Sequence, residues 1–264
     1  MSKRIVILGA GESGVGAAIL AKAKKYTVFV SDEGKILDKY KAVLQAENID
    51  FEEGTHTLSR LFEADIIVKS PGIPNHIALI KQLKERNIPV ISEIEWGSRF
   101  TNAKIIAITG SNGKTTTTSL TYHLLKSAGL NVGLAGNIGE SFAKQVAQKN
   151  NNIYVLEISS FQLDDIVNFC PDIAIITNIT ADHLDRYNYS LNEYAAAKLK
   201  ITQNQTEKDF LIYNTDDAYL VEQLENKKTK AKMLPFSMQA FNLTLGSFVN
   251  GSKIICKTKC NVYE

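Results

Sequence analysis

The chain has 264 residues, of which 44% are hydrophobic and 22% charged, and its formal net charge is +2. This composition is typical of a soluble globular protein with enough residues for two domains. A charge this close to zero gives no reason to expect nucleic acid or an anionic membrane as a partner. Only a short apolar run precedes the first glycines, which argues against a signal peptide or a membrane span. Cys170, Cys256 and Cys260 lack metal-ligand spacing, so we expect reduced thiols in a cytoplasmic protein.

The first predicted strand, residues 4–8, runs into a glycine loop with the pattern G-x-G-x-x-G at residues 9–14. A helix is predicted over residues 15–25, and a second strand over 27–30 ends near Asp32. An acidic residue about 20 positions after such a loop is the ribose ligand of a dinucleotide-binding fold. The pattern indicates a nucleotide-diphosphate site, and it leaves a nicotinamide-dependent oxidoreductase open as an alternative.

Strands and helices alternate up to Ser92, near which we place a domain boundary. The predicted elements are a strand over 66–69, a helix over 77–86, a strand over 89–91 and a short helix over 93–100. Repeated strand–helix units predict a doubly wound parallel sheet with ligands at the carboxyl ends of its strands. Ser70 and Gly72 follow such an end, although a turn fixed by Pro71 explains them equally well.

The second domain is organised around the loop T-G-S-N-G-K-T-T at residues 109–116. An apolar strand precedes the loop and a helix predicted to begin at Lys114 follows it. Glycine N–H groups, a helix N-terminus and the Lys114 amine form a phosphate site, and the Thr115 hydroxyl can ligate a magnesium ion. Ile108 occupies the place of the first glycine in the usual pattern. The alternative is an ordinary turn with a surface lysine.

Polar residues follow three further predicted strands, residues 132–135, 153–156 and 173–177. Asn137, Glu157 and His183 occupy these positions, and they converge with Lys114 on one edge if the strands are parallel neighbours. Glu157 is placed like the acidic residue that holds magnesium opposite a phosphate loop. A lone loop histidine is usually a surface residue, but the flanking acidic residues of D-H-L-D favour a metal or substrate contact for His183.

Ser190 and Glu193 have the spacing of a capping box and predict a helix over residues 191–203. Lys198 lies on the apolar face of that helix and Lys200 points away. Lys198 either extends its amine to solvent past apolar neighbours or is a buried amine with a lowered pKa. A strand over 209–213 then ends at Asn214. Alternation over residues 240–257, with a turn at Asn-Gly 250–251, predicts a β-hairpin region.

These segments together resemble the muramyl-peptide ligase family over the whole chain. The resemblance is carried by S-P-G-I-P (70–74), T-G-S-N-G-K-T-T (109–116), G-N-I-G (136–139), E-I-S-S-F-Q-L (157–163), D-H-L-D-R-Y (182–187), A-K-L (197–199) and N-T-D-D (214–217). The phosphate loop is shared with folylpolyglutamate synthases, whereas E-I-S-S-F-Q-L and D-H-L-D-R-Y are closer to the D-glutamate-adding members. The resemblance implies an α/β fold. A Rossmann-like UDP-substrate domain (1–92) would precede a P-loop-type ATP-binding domain (93–264).

The resemblance implies a cytoplasmic, monomeric, ATP-dependent ligase of peptidoglycan precursor synthesis. It would join D-glutamate to UDP-N-acetylmuramoyl-L-alanine through an acyl phosphate, with ATP, two Mg²⁺ ions and a carbamylated Lys198. The implied catalytic residues are Lys114, Glu157, His183 and Lys198, and the implied metal ligands are Thr115, Glu157, His183 and Lys198. The implied ATP-binding residues are Gly110, Ser111, Asn112, Gly113, Lys114, Thr115, Thr116 and Asn214. The implied UDP-substrate residues are Gly11, Glu12, Ser13, Asp32, Ser70, Gly72, Asn137, Ser159 and His183.

One departure from the family follows the hairpin. There the family continues into a helix that completes the ATP domain and then into a third, acceptor-binding domain, and this sequence has neither. We therefore expect a fragment that is inactive alone. Two alternatives stay open. An NAD-dependent oxidoreductase leaves Lys114, Glu157 and Lys198 unexplained, and a nucleotide-binding module without ligase activity agrees with the missing segment.

Overall fold

Two β-sheets organise the chain in a computed structural model, which describes residues 2–239, 245–258 and 261–263. The strands of the first sheet are β1 (Arg4–Leu8), β2 (Thr27–Asp32), β3 (Asp50–Glu53), β4 (Ile66–Lys69) and β5 (Val90–Ser92). The intervening helices are α1 (Glu12–Ala23), α2 (Asp38–Ala46), α3 (Leu58–Phe62) and α4 (Ala78–Glu85). The strand order is β3-β2-β1-β4-β5, and all neighbours are parallel.

The central strand β1 is apolar along most of its length because helices cover both faces of its sheet. Ile5 and Ile7 pack into one core, Val6 and Leu8 pack into the other, and all four are fully buried. A short, unbroken apolar run therefore marks a strand of this kind. The doubly wound parallel sheet predicted for the first part of the chain is confirmed.

The second sheet begins after the connecting helix α5 (Glu93–Ser98). Its strands are β6 (Lys104–Thr109), β7 (Val132–Gly136), β8 (Ile153–Glu157), β9 (Ile173–Ile176), β10 (Phe210–Asn214), β11 (Lys232–Ser237), β12 (Gly246–Asn250), β13 (Lys253–Lys257) and β14 (Val262–Tyr263). The helices are α6 (Lys114–Ser127), α7 (Phe142–Gln148), α8 (Ser160–Leu163), α9 (Leu191–Leu199) and α10 (Ala218–Lys227), with 3₁₀ turns at Leu184–Tyr187 and Lys200–Thr202. Among the described residues, no helix combines the length and apolar character needed to cross a bilayer.

The order of the second sheet is β14-β13-β12-β11-β10-β9-β6-β8-β7. Neighbours are parallel from β7 to β12, so the strands that precede the predicted site are parallel as expected. The predicted hairpin is also confirmed: β12 and β13 are antiparallel, and Asn250 pairs with Lys253 around Gly251, which has a φ of +62°. The alternating stretch predicted at residues 240–244 lies outside the described residues.

Some helix boundaries and one cap were predicted wrongly. Helix α1 begins at Glu12, inside the glycine pattern: the Val15 N–H donates to the Gly11 carbonyl at 2.9 Å, and Gly14 packs where a Cβ would lie 1.8 Å from the Gly9 carbonyl oxygen. Helix α9 ends at Leu199 and tightens into a 3₁₀ turn, a common way for a helix to end. The capping box is wrong in one half. Ser190 Oγ accepts from the Glu193 N–H, but the Glu193 carboxylate accepts from the Asn188 side chain instead.

The two sheets meet through helices α1, α5 and α7. A Cβ on Gly16 of α1 would lie 1.9 Å from Ser141 Oγ, and one on Gly97 of α5 would lie 2.7 Å from a ring carbon of Phe142. Both contacts are closer than real Cβ contacts, so these positions require glycine. Trp96 of α5 is buried with the core of the first sheet. The close packing of these helices fixes the strand ends of one sheet relative to the other.

Candidate functional site

The phosphate-type loop between β6 and α6 depends on two glycines. Gly113, immediately before α6, has a φ of +79° in the left-handed region. Gly110 has a φ of +146°, and a Cβ there would lie 1.9 Å from Thr177 Oγ1. The Lys114 amine lies over this loop and donates to the carbonyls of Gly110 and Ser111, at 2.9 Å each. The loop thus presents a helix N-terminus and a cation at the carboxyl edge of the sheet.

Glu157 ends β8 between two neighbouring strands, opposite Ile108 of β6 and Gly136 of β7. Its side chain is only 1% exposed, and Oε1 accepts a 2.8 Å hydrogen bond from Asn137 Nδ2. Oε2 is buried and has no hydrogen-bond partner among the described residues. A buried carboxylate oxygen normally has a partner, so this atom retains the capacity to bind a cation or a donor.

A cavity of about 160 Å³ lies at this edge and collects residues from five segments of the chain. Its lining residues are Lys114, Asn137, Ser159, Ser160, Phe161, Asp182, His183, Tyr194 and Lys198. The structure therefore brings Lys114, Asn137, Ser159, His183 and Lys198 together. The sequence predictions missed Ser160, Phe161, Asp182 and Tyr194 as lining residues, although all four belong to segments that carried the family resemblance or to the inward face of α9.

Lys198 is 1% exposed, so the structure agrees with the buried-amine alternative for this residue. Its Nζ donates to the Gly110 carbonyl at 2.7 Å and lies 4.5 Å from the centre of the Tyr194 ring. Burial, and then the nearby Lys114 cation, lower the pKa of Lys198 to about 7. Lys200 faces the other way and pairs with Asp164. The cavity wall therefore carries an amine that is largely neutral just above neutral pH.

Of the titratable side chains that line the cavity, His183 is the most exposed, with 63% of its side chain accessible to solvent. Its Nε2 lies 3.7 Å from Asp182 Oδ1, and its ring contacts the Phe161 ring edge to face at 5.7 Å. The residue has a φ of +47°, a left-handed conformation uncommon for histidine. Such strain is frequent at functional sites and agrees with a ligand-binding role for His183.

Ser159 has a structural role that its sequence context signalled but we did not predict. It caps α8, with its Oγ accepting from the Gln162 N–H while the Gln162 side chain accepts from the Ser159 N–H. This reciprocal cap fixes the chain that leaves Glu157. Asn214, at the end of β10, accepts from the Asp216 N–H and does not line the cavity. Its assignment to ATP stays a prediction.

The glycine loop of the first sheet is held by Asp32. Its Oδ2 accepts from the Ala10 N–H at 2.6 Å and its Oδ1 from the Gly34 N–H at 2.8 Å. Each carboxylate oxygen has a second lone pair, so a contact to a ribose hydroxyl remains possible in addition. Ser70 donates to the Gly9 carbonyl at 3.3 Å, and Glu12 accepts from the Ser141 N–H. Gly11, Ser13 and Gly72 lie on the same edge, and their ligand roles stay predictions.

The described residues contain no group of three or more His, Cys, Asp or Glu side chains arranged to hold a metal ion. Next to the lining residue Asn137, Glu157 Oε2 is buried and has no hydrogen-bond partner within the part of the chain that the structure describes, and the Thr115 hydroxyl lies in the exposed first turn of α6. A larger apolar cavity of about 670 Å³ lies against β10 to β13, away from these residues. The polar chemistry is concentrated at the smaller cavity.

Family models match two parts of the chain. The Mur ligase middle domain matches residues 108–262, which is more than half of the chain, and the MurD N-terminal domain matches residues 4–78. Among curated proteins, the UDP-N-acetylmuramoylalanine--D-glutamate ligase of Christiangramia forsetii is 52% identical over 97% of this chain and 57% of its own length. The enzyme of that name from Bacteroides fragilis is 57% identical over 89% of this chain and 53% of its own length.

Solved structures show the same fold at lower identity. The Neisseria meningitides UDP-N-acetylmuramate:L-alanyl-gamma-D-glutamyl-meso-diaminopimelate ligase is 21% identical, with a TM-score of 0.65 over 99% of this chain and 86% of its own. The Thermotoga maritima UDP-N-acetylmuramate-alanine ligase is also 21% identical, with a TM-score of 0.56 over 91% of this chain and 53% of its own. This chain spans about half the length of the curated relatives it matches. Because the model of the Mur ligase middle domain matches more than half of its residues, the chain belongs to the Mur ligase family.

Proposed function

We propose that this chain carries the UDP-substrate and ATP sites of a ligase that joins D-glutamate to UDP-N-acetylmuramoyl-L-alanine. Residues 1–92 would bind the UDP-linked substrate and residues 93–264 would bind ATP, in a cytoplasmic monomer of peptidoglycan precursor synthesis. The observation that carries the proposal is the cavity where the Lys114 loop and the buried Lys198 meet the Asn137–Glu157 pair. The two relatives described as UDP-N-acetylmuramoylalanine--D-glutamate ligases, at 52% and 57% identity, support the choice of D-glutamate as acceptor.

ATP would bind with its phosphates against the loop before α6. The first turn of that helix has backbone N–H groups without helical partners, and the helix dipole adds positive potential there. The Lys114 amine, held 2.9 Å from two carbonyls of its own loop, can turn from them to the phosphates with a small displacement. Gly110, Ser111, Asn112, Gly113, Thr115 and Thr116 would complete the site.

The residues present fit a magnesium ion beside these phosphates. Glu157 Oε2 is a buried acceptor with no hydrogen-bond partner in residues 2–239, 245–258 and 261–263, and oxygen ligands are those that Mg²⁺ prefers. His183 and the Thr115 hydroxyl would be further ligands. When bound, magnesium would offset negative charge on the transferring phosphoryl group. Mg²⁺ keeps waters and phosphate oxygens in its shell, so a compact cluster of three protein carboxylates is not required.

Lys198 would act as a carbamate. Only a neutral amine reacts with carbon dioxide, and a pKa of about 7 leaves a large neutral fraction at cytoplasmic pH. The neutral amine and carbon dioxide form an N–C bond and release one proton, so an uncharged buried amine is replaced by an anion with two oxygens. That change supplies the additional carboxylate that the described residues lack at this edge.

The substrate would span both sheets. Its UDP moiety would lie on the glycine loop and Asp32, with Ser70 and Gly72 beside it. The muramoyl-alanine arm would reach the cavity and contact Asn137, Ser159 and His183. Its terminal carboxylate would then attack the γ-phosphorus of ATP, with ADP as leaving group. The amine of D-glutamate would attack the resulting acyl phosphate and release inorganic phosphate.

Calorimetric titration of the purified chain tests the proposal. We expect one site for UDP-N-acetylmuramoyl-L-alanine and one for MgATP, each occupied in the presence of the other. NADH serves as the competitor because the glycine loop alone is compatible with a dinucleotide. Binding of NADH in place of the UDP-linked substrate would contradict the proposal, and so would a failure of MgATP to bind.

A further inference from the structure

The loop at residues 70–74 belongs to the first sheet, and two sets of contacts connect it to the part of the chain that forms the second sheet. This loop follows β4 and lies beside the glycine loop, to which Ser70 donates a hydrogen bond. The first contact is made by the buried Lys69, immediately before the loop, with Asp165. The second is made by Arg186, in the 3₁₀ turn that follows His183, with backbone carbonyls of the loop. Neither residue belongs to the ATP or metal assignments above.

Lys69 makes two directional contacts while only 2% of its side chain is accessible. Its Nζ donates to the Ile73 carbonyl at 2.6 Å, and this hydrogen bond joins the start of the loop to its end. The same Nζ pairs at 3.0 Å with Asp165 Oδ2, whose side chain is 5% accessible. A buried ion pair of this kind is sensitive to loss of either partner, because the remaining charge is left without compensation.

Asp165 lies in the segment between α8 and β9, which several hydrogen bonds hold in place. Its backbone carbonyl accepts from the Ser92 N–H at 2.9 Å, at the end of β5. The next residues are fixed by Glu95, whose Oε2 accepts the N–H groups of three successive residues, Val167, Asn168 and Phe169. On its other side the segment continues into α8 and so to the Ser159 cap at the cavity. The position of Asp165 is therefore tied to the cavity wall.

Arg186 contacts the same loop at Pro71 and Gly72. Its guanidinium donates to the Pro71 and Gly72 carbonyls at 3.4 Å each and lies 4.4 Å from the centre of the Phe161 ring. Phe161 lines the cavity. Both contacts thus connect the loop of the first sheet to elements that form the cavity of the second.

We propose that Lys69 and Asp165 are a positioning pair that sets the distance between the UDP-binding edge and the cavity. The pair would hold the loop at 70–74 so that the arm of a bound UDP-linked substrate ends beside Lys114. This inference rests on the proposed function for the identity of the ligand. Neither residue would touch the reacting atoms, and their effect would be greater on a ligand that spans both sheets than on a ligand that touches only one.

The test uses the full chain with both charges removed at once, as Lys69→Met/Asp165→Leu. Removal of both leaves no unpaired buried charge, so the double variant is expected to fold, as its thermal midpoint would check. Lys149→Met is the control, because it removes an exposed ion pair with Glu140 that joins the two ends of α7. Calorimetry then measures three ligands on each protein: UDP, UDP-N-acetylmuramoyl-L-alanine and MgATP.

We expect the double variant to lose about tenfold or more in affinity for UDP-N-acetylmuramoyl-L-alanine, since small displacements of a positioned group have large effects. Its affinity for MgATP should match that of the parent, and its affinity for UDP should fall by less than its affinity for the larger ligand. If the affinities for UDP and for the larger ligand fall equally, the pair only maintains the conformation of the loop at 70–74. If neither affinity falls, the pair has no positioning role. Either result overturns the proposal.

A second measurement does not depend on the ligand. Spin labels at Lys81→Cys and Glu222→Cys, in a chain whose native cysteines are serine, report the distance between the two sheets by pulsed electron resonance. The double variant should give a broader distance distribution than the parent, and an unchanged distribution overturns the proposal whatever the ligands do. If the parent binds no UDP-linked substrate, the proposed function fails while the distance measurement still decides the role of Lys69 and Asp165.

Discussion

Lys198 and Lys200 are two residues apart but differ in environment, because Lys198 lies on the inward face of α9 and Lys200 begins the 3₁₀ turn that follows it. Lys198 is buried against the phosphate loop, whereas Lys200 pairs with Asp164 at the other side of the chain. Periodicity on α9 predicted this difference. The contact between Lys198 and the Gly110 carbonyl was not predictable, because it depends on how α9 packs across the carboxyl edge of the sheet.

Carbamylation of Lys198 can be observed without turnover. In ¹³C-bicarbonate the parent should give one carbamate resonance that grows as the pH rises through about 7, where the Lys198 amine becomes neutral. Lys198→Ala should lose the resonance and Lys200→Ala should keep it. Retention of the signal in Lys198→Ala would show that another amine carries it and that the burial argument fails.

Glu157 is the second residue with a specific expectation. Glu157→Gln keeps an acceptor for Asn137 but replaces the free buried oxygen by a donor. We expect affinity for MgATP to fall by about tenfold or more, with affinity for ATP in excess EDTA unchanged. Glu222→Gln, on the exposed face of α10, is the control. Equal MgATP affinity in Glu157→Gln and the parent would exclude Glu157 as a metal ligand.

At the scale of elements, the junction between α5 and α7 contains a buried carboxyl group. Glu93 begins α5, and its Oε1 accepts from Ser141 Oγ and from the Ala143 N–H at 2.6 Å each. Its Oε2 is buried without a hydrogen-bond partner among the described residues. Burial first, with the Glu12 carboxylate adding to it, raises the pKa of Glu93 from 4.5 to about 7 against the effect of these hydrogen bonds.

This raised pKa predicts a pH dependence of stability. Between about pH 4.5 and 7 the folded chain holds a proton that the unfolded chain releases, so the free energy of unfolding falls as the pH rises through that window. The full effect is roughly 3 kcal/mol. Glu93→Gln should therefore be more stable than the parent at pH 8, by up to that amount, and similar to it at pH 5. Denaturant unfolding at both pH values measures this.

The control for that experiment is Glu85→Gln, which removes a carboxylate from the exposed end of α4. It should follow the parent at both pH values. If Glu93→Gln is instead less stable than the parent at pH 8, the ionised carboxylate stabilises the junction and the assigned direction of the pKa shift is wrong.

Strands were easier to predict than the contacts between elements. The parallel order around β6 followed from short apolar runs with polar residues after them, and those runs are apolar because both faces of the sheet are covered. The short helix α7 was missed because seven residues carry little periodic signal. The cap at Glu193 was mispredicted because the Asn188 amide, brought close by a left-handed turn, offers its carboxylate another donor.

At the scale of the whole molecule, the candidate site is formed by loops that are far apart in sequence. Its residues lie between positions 110 and 198, and the loops that we assign to UDP lie before position 73. Sequence motifs identified both groups. Their relation in space depends on α1, α5 and α7 and on the Lys69–Asp165 pair, which no motif marks. The packing between the sheets was therefore beyond sequence reasoning.

The central claim is that the Lys114 loop binds the phosphates of ATP while a separate edge of the molecule binds UDP. Calorimetry on Lys114→Met tests it most directly, because the substitution removes one cation and retains most of the side-chain volume. We predict that affinity for MgATP falls by about tenfold or more and that affinity for UDP changes by less than about twofold. Unchanged MgATP affinity, or equal loss for the two ligands, would contradict the assignment of two sites.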